Sequence, residues 1–246
     1  MITAFLSQKG GAGLTSALAN IAAATSSELG RKVLICDLNI GRGAVEYPFG
    51  MEDQAVWNVV DVFEGACKIS DALLKIPGYG ELYLLPASRS RNISSVTKAG
   101  LAKLLKLLSG AFDDIFLDVP AASLSALSLA LPSADRAVLV SGTDKVSLML
   151  GKIFLSEIPE EKRSLSLILD RVRLDLVKED LAPSPESFAE GIGLPILGII
   201  PENEDILLQS ETHEDLVHAK TAACRAFLNI ARRLQGETVP IDLRKA

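Results

Sequence analysis

Residues 7–15 read SQKGGAGLT, and Gly10, Gly11 and Gly13 ahead of Thr15 have the spacing of a loop that binds phosphate. Glycine permits turns and close approaches that a Cβ resists, so successive N–H groups can point at one anion. A helix starting at the end of the loop adds its partial positive charge at the same spot. Thr15 is placed as a Mg²⁺ ligand, and Ser16 lies next to it among the nucleotide-binding positions. The ordinary pattern is broken twice: Gln8 replaces its first glycine, and Leu14 replaces the lysine that grips the β- and γ-phosphates. Two unit charges about 4 Å apart attract by roughly 4 kcal/mol at an effective dielectric near 20, before desolvation, and leucine forfeits that attraction. A glycine-rich turn that holds no phosphate is the plain alternative.

Such a loop must be held between a strand and a helix. Short apolar runs at 2–7, 32–36, 82–86, 114–119, 136–141, 165–169 and 195–200 are hydrophobic on both faces, as buried strands of a mostly parallel sheet are. Helical patterns fall at 15–29, 57–64, 98–110, 146–157 and 218–234. This alternation predicts an α/β fold, a doubly wound, mostly parallel sheet with helices on both faces and right-handed crossovers. Ligands of such sheets sit at the carboxyl ends of the strands. At 246 residues, 48% apolar and 23% charged, one domain over 1–246 is expected.

The cysteines Cys36, Cys67 and Cys224 show no metal-binding spacing and are expected to be plain thiols in a reducing compartment. No apolar run approaches a membrane span and no signal peptide is evident, so a cytoplasmic protein is expected. A net charge of −6 argues against general nucleic-acid binding. Arg225, Arg232 and Arg233 form a candidate basic patch, with a solvated helix face the plainer reading.

The loop QKGGAGLT resembles the deviant Walker loop, KGGxGK[ST], of the MinD/ParA family of P-loop ATPases. The likeness spans nearly the whole chain and is closest to the MinD branch: GRKVLICDLNIGRGAVEYPFGMED, VVDVFEGACKISDALLK, LYLLPASRSR, FDDIFLDVPAA, ADRAVLVS, LPILGIIPENEDI and AFLNIARRLQGETVP occur in the family's order. The resemblance implies ATP or ADP with Mg²⁺ as cofactors. It makes Lys9 the signature lysine that reaches a partner's phosphates in an ATP-bound homodimer, and Asp118 the Walker B aspartate that holds Mg²⁺ with Thr15. The family's switch reads DxDxG; here Asp37 fills the first position and Asn39 the second, where an uncharged amide is no useful base for the attacking water. Ala122 stands in place of a glycine whose N–H meets the γ-phosphate. Asp170 and Arg171 stand where members often carry Asn-Arg to read adenine, and aspartate cannot donate to a ring nitrogen unless protonated. The loop from Pro201 to Asp205 matches the other segment flanking the base.

The departures at 14, 39, 122 and 170 all fall on nucleotide contacts. They suggest a degenerate member with weak or absent ATP binding and hydrolysis, a pseudo-ATPase acting through a protein partner in division-site placement or a related positioning system. Two alternatives stand beside it: a slow ATPase in which Lys9 substitutes for the missing lysine, and a DNA-positioning protein of the ParA kind. Without well-bound nucleotide, a monomer or weak homodimer is expected, although Leu14 packed against a partner or into the loop would allow a permanent one. The end of the chain, GETVPIDLRKA, is broken by Pro240 and leaves only Ile241 and Leu243 to insert, so no stable membrane anchor is expected. His213 and His218 read as surface residues, Arg89 and Arg91 as solvated loop charges, and Trp57 with Val59, Val60, Val62 and Phe63 as a helix packed on the sheet.

Overall fold

The computed structural model describes residues 1–90, 95–158, 164–212, 217 and 221–241. Arg91, His213, His218, Leu243 and the start of the helix expected at 218–234 lie outside the described residues. The strands are β1 (Ile2–Leu6), β2 (Val33–Asp37), β3 (Leu74–Lys75), β4 (Leu82–Leu85), β5 (Asp114–Asp118), β6 (Arg136–Ser141), β7 (Leu165–Val172) and β8 (Ile196–Pro201). They form one sheet in the order β3-β4-β2-β5-β1-β6-β7-β8, parallel except for β3 against β4. The helices are α1 (Leu14–Ser27), α2 (Val59–Phe63), α3 (Ile69–Ala72), α4 (Lys98–Leu108), α5 (Leu124–Ala130), α6 (Lys145–Ser156), α7 (Leu174–Lys178), α8 (Pro185–Ile192), α9 (Glu204–Thr212) and α10 (Ala222–Leu234).

Side chains alternate across a pleated strand, and the sheet uses both faces. Phe5, Ile35, Phe116, Val138 and Ile168 join a core with α1 and α10, and the Phe5 and Phe116 rings lie 5.2 Å apart. Ala4, Leu6, Leu34, Leu117 and Leu139 join the opposite core with residues of α2, α4, α5 and α8. Cys36 and Cys224 are buried thiols, while Cys67 is half-buried. The contact of α10 with the sheet depends on Gly198, where a Cβ would fall 2.1 Å from Ile230 Cγ1.

Val59 and Val60 are buried as expected, but Trp57 precedes the N-cap Asn58 and is 36% exposed. Of the candidate basic patch, the Arg233 guanidinium donates to the carbonyls of Leu197, Val239 and Pro240, while Arg232 lies 4.0 Å from the Glu237 carboxylate. Arg89 lies over the Tyr47 ring and 3.6 Å from the Glu46 carboxylate. Among the described residues, no helix is long and apolar enough to cross a membrane.

Candidate functional site

The carboxyl ends of β1, β2, β5, β6 and β7 bring the singled-out loops together. Gly13 caps α1 with φ of +83°, its carbonyl accepts from Ala17 N–H, and a Cβ there would fall 1.7 Å from Asp170 Oδ2. No acidic residue occupies the first turn of α1 itself, and the carboxylates at its positive end, Asp170 against Gly13 and Asp118 bonded to Thr15, arrive from other strands. Leu14 is 8% exposed and belongs to the core that includes Phe5 and Leu18. A side chain that elsewhere would carry charge to phosphate is here part of the hydrophobic interior.

One hollow is lined by Lys9, Gly10, Gly11, Gly13, Leu14, Thr15, Ser16, Asn39, Asp118 and Ala121, among others. Lys9 Nζ lies 3.0 Å from Asp144 Oδ2. Asp144 also caps α6 by accepting from Ser147 N–H. Partial burial works against ionisation of Asp144, but hydrogen bonds from Ser147 and Lys9 outweigh it and hold the carboxyl well below the ordinary range. Gln8 is buried beneath the loop, donating to Ser141 Oγ at 2.7 Å and to the Ser147 carbonyl at 3.3 Å. Its amide ties the loop to β6 and α6.

The Thr15 hydroxyl donates to Asp118 Oδ2 at 3.0 Å. Asp118 is aligned in register with Asp37 across β5 and β2. Burial raises the Asp118 carboxyl to about 6, although the Thr15 hydrogen bond pulls it down. Asp37 is raised well above the ordinary range by burial first and by the Asp118 charge second. Its Oδ1 accepts from Asn39 N–H at 2.8 Å, while its Oδ2 is buried without a hydrogen-bond partner. Adjacent buried carboxyls resist joint ionisation, and a cation beside them removes the penalty. The Asp118 carboxylate and the Thr15 hydroxyl, with the Asp37 charge behind them, are the hard oxygen donors that Mg²⁺ favours, so the residues present fit that ion.

Three of the expected residues line neither this hollow nor the next. Asp37 is buried below the loop. Ala122 has φ of +51°, but its N–H is already engaged, donating to the Ser7 carbonyl at 3.0 Å. Pro201 lines a neighbouring depression with Arg173, Asp175 and Asn203.

The next hollow shares Gly11, Gly13 and Ser16 with the first and continues past Pro48, Asp170, Arg171, Glu202, Asn203, Ile206 and Gln209. Burial raises the Asp170 carboxyl to about 6 against the opposing charge of Arg171. Arg171 has φ of +54°, and its guanidinium donates to the Gly11 carbonyl. A buried amide pair, Asn20 Nδ2 to Gln209 Oε1 at 2.8 Å with a return bond at 3.2 Å, fastens α1 to α9.

Asp144, Gln209 and the tethering role of Gln8 were not singled out from the sequence. An acidic residue just ahead of the helix following β6 was the available signal for Asp144. The Gln209 contact joins positions 189 residues apart and left no local signal.

A glycine-rich turn from β1 into the start of α1, facing an acid at the end of β5 in a sheet of this order, defines a P-loop nucleotide-binding fold. Residues 1–170 match a family model described as AAA domain. The septum site-determining protein MinD of Synechocystis is 30% identical over 95% of this chain and 89% of that protein. The MinC:MinD cell division protein complex of Aquifex aeolicus aligns with a TM-score of 0.89 at 30% identity, covering 98% of both chains. MinD of Pyrococcus horikoshii, complexed with Mg-ADP, aligns with a TM-score of 0.80 at 26% identity, covering 95% of both chains. The chain belongs to the MinD/ParA family.

Proposed function

We propose that this chain is a degenerate MinD-like protein that contributes to division-site placement through a protein partner, with ATP binding weakened and hydrolysis negligible. The observation that carries the reading is Leu14, buried in the core at the head of α1 where the family places a phosphate-gripping ammonium. Supporting it, Asn39 brings an amide and not a carboxylate to the hollow, and the Ala122 N–H is spent on Ser7. Phosphoryl transfer depends on positioning and charge stabilisation, and both are reduced here. The relative from Aquifex aeolicus occurs in a complex with MinC, so a partner of that type fits a chain keeping the same fold. When bound, Mg²⁺ would shield phosphate charge, and Thr15 and Asp118 are the residues to hold it; the rest of the cradle is backbone N–H. A phosphate-release assay on the whole chain tests the proposal. Negligible turnover is expected, and turnover at the level of an active MinD would overturn it.

The slow-ATPase alternative rests on Lys9, whose side chain lines the hollow. Its ammonium would have to leave Asp144 to meet a phosphate. Lys9→Ala abolishes any residual turnover under that reading, and unchanged turnover would eliminate it.

A further inference from the structure

We propose that Glu46 is a proton-controlled clasp, holding the loop after β2 against the candidate site while neutral and releasing it once ionised. The loop runs from Leu38 to the N-cap Asn58 and walls both hollows, the first at Asn39 and the second at Pro48. It is fastened at several points. Gly41 N–H donates to the Ser88 carbonyl at 2.6 Å, and the short turn Tyr47–Phe49 packs against α9. The N–H groups of Phe49 and Met51 both donate to the Glu46 carbonyl at 3.1 Å, which folds the chain back and brings Glu52 toward Glu46.

The Glu46 side chain is 2% exposed, and its Oε2 is buried without a hydrogen-bond partner, as is Oε2 of Glu52. Charges reach Glu46 from three elements. Arg89, in the segment after β4, stands 3.6 Å away and is itself 44% exposed. Glu52 opposes ionisation from the same turn, and Asp37 at the end of β2 feels the Glu46 charge. Arg42 and Asp53 on the loop are exposed, and the first turn of α9 adds only the acids Glu204 and Asp205. A carboxylate taken out of water needs donors, and a guanidinium beyond hydrogen-bond distance leaves it short of them. Burial first, with the Glu52 charge, therefore raises the Glu46 carboxyl above its usual range against the pull of its own N–H and of Arg89. A buried acid of this kind stabilises the closed loop at low pH, and that contribution is lost as pH rises through its folded-state value.

Trp57 is the only tryptophan and sits at the end of this loop, 36% exposed, so its emission follows the clasp. Emission is recorded from pH 4 to 8 on the full chain without nucleotide, beside hydrogen exchange at the Phe49 and Met51 amides. Wild type should show a transition with its midpoint above the ordinary glutamate value of about 4.3, with exchange at both amides rising beyond the intrinsic effect of pH. Glu46→Gln should remove the transition and keep both amides protected throughout. Arg89→Met, which takes away the attracting charge, should raise the midpoint by about one pH unit, and Glu52→Gln should lower it. Asp118 and Asp170, raised to about 6, titrate in the same range, and a transition that persists in Glu46→Gln would belong to them and overturn the proposal. A midpoint that Arg89→Met and Glu52→Gln leave in place, or move in the opposite directions, would overturn it as well. Those two variants keep Glu46, so a poorly folded Glu46→Gln protein does not shelter the idea. No turnover enters the readout: rapid ATP hydrolysis by the wild type would sink the degenerate reading and leave the clasp to be judged on these profiles.

Discussion

Replacing Leu14 with lysine puts an ammonium group at the head of α1, among three loop glycines and 8% exposed. In the free protein the change is unfavourable. Burying a leucine contributes about 1.5–3 kcal/mol, and a lysine stem retains part of that while its head reaches for solvent, leaving a loss near 1 kcal/mol. For a chain of this size that lowers the melting temperature by about 2–4 °C. With Mg-ATP present the sign reverses. An attraction of roughly 4 kcal/mol at 4 Å, about half offset by desolvation, leaves ~2 kcal/mol. That corresponds to about 30-fold in Kd. Calorimetry should therefore show Leu14→Lys binding Mg-ATP far more tightly than wild type while melting earlier without ligand. Hydrolysis should stay low, because Asn39 still brings no carboxylate; adding Asn39→Asp should raise it. If wild type already binds tightly, or if the lysine leaves Kd unchanged, the electrostatic account of the loop fails.

Asp37→Asn should stabilise the protein at neutral pH. Burial and the Asp118 charge raise the folded-state proton affinity of Asp37, and Asp118 and Asp170 are raised from 3.8 to about 6. A carboxyl with a raised folded pKa binds protons more tightly folded than unfolded, so its contribution to stability falls as pH rises through that window. Melting temperatures measured from pH 5 to 7 should decline less steeply in Asp37→Asn than in wild type, and a steeper decline would contradict the assignment. Gly13→Ala sets a methyl 1.7 Å from Asp170 Oδ2 at a positive φ, and should cost roughly 3 kcal/mol or more in denaturant unfolding, part of it recovered by Asp170→Ala. Asn20→Leu should cost about 1–3 kcal/mol by orphaning the Gln209 amide. The double change with Gln209→Leu should recover most of the loss, and strictly additive losses would show that the pair is not coupled.

Seven strands were legible because each is a short, nearly continuous apolar run bounded by polar or turn residues, a pattern that needs no partner to be seen. β3 escaped notice: a two-residue strand has no period, and it exists only because the turn at 77–80 folds it back on β4. The helix α8 was also missed, although Ser184, Pro185 and Gly193 mark its ends, because its apolar stripe covers only two turns. At the site, the spacing of residues 7–15 revealed the glycine cradle and the leucine in place of an ammonium at position 14, while the carboxylate absent at Asn39 was visible only against the pattern of the resembled family. The first two are properties of single side chains at a fixed spacing, and a sequence states them outright.

What the sequence could not decide is where those groups spend their interactions. Whether Leu14 points at a ligand or into the core, whether the Ala122 N–H is free, and which acid meets Lys9 all depend on loops arriving from distant strands. Hydrogen bonds and burial are settled between residues more than a hundred positions apart, as between Lys9 and Asp144 or Thr15 and Asp118. Only closure of the sheet brings those partners within reach, so composition fixes the chemistry on offer while the tertiary structure fixes which of it is still unspent.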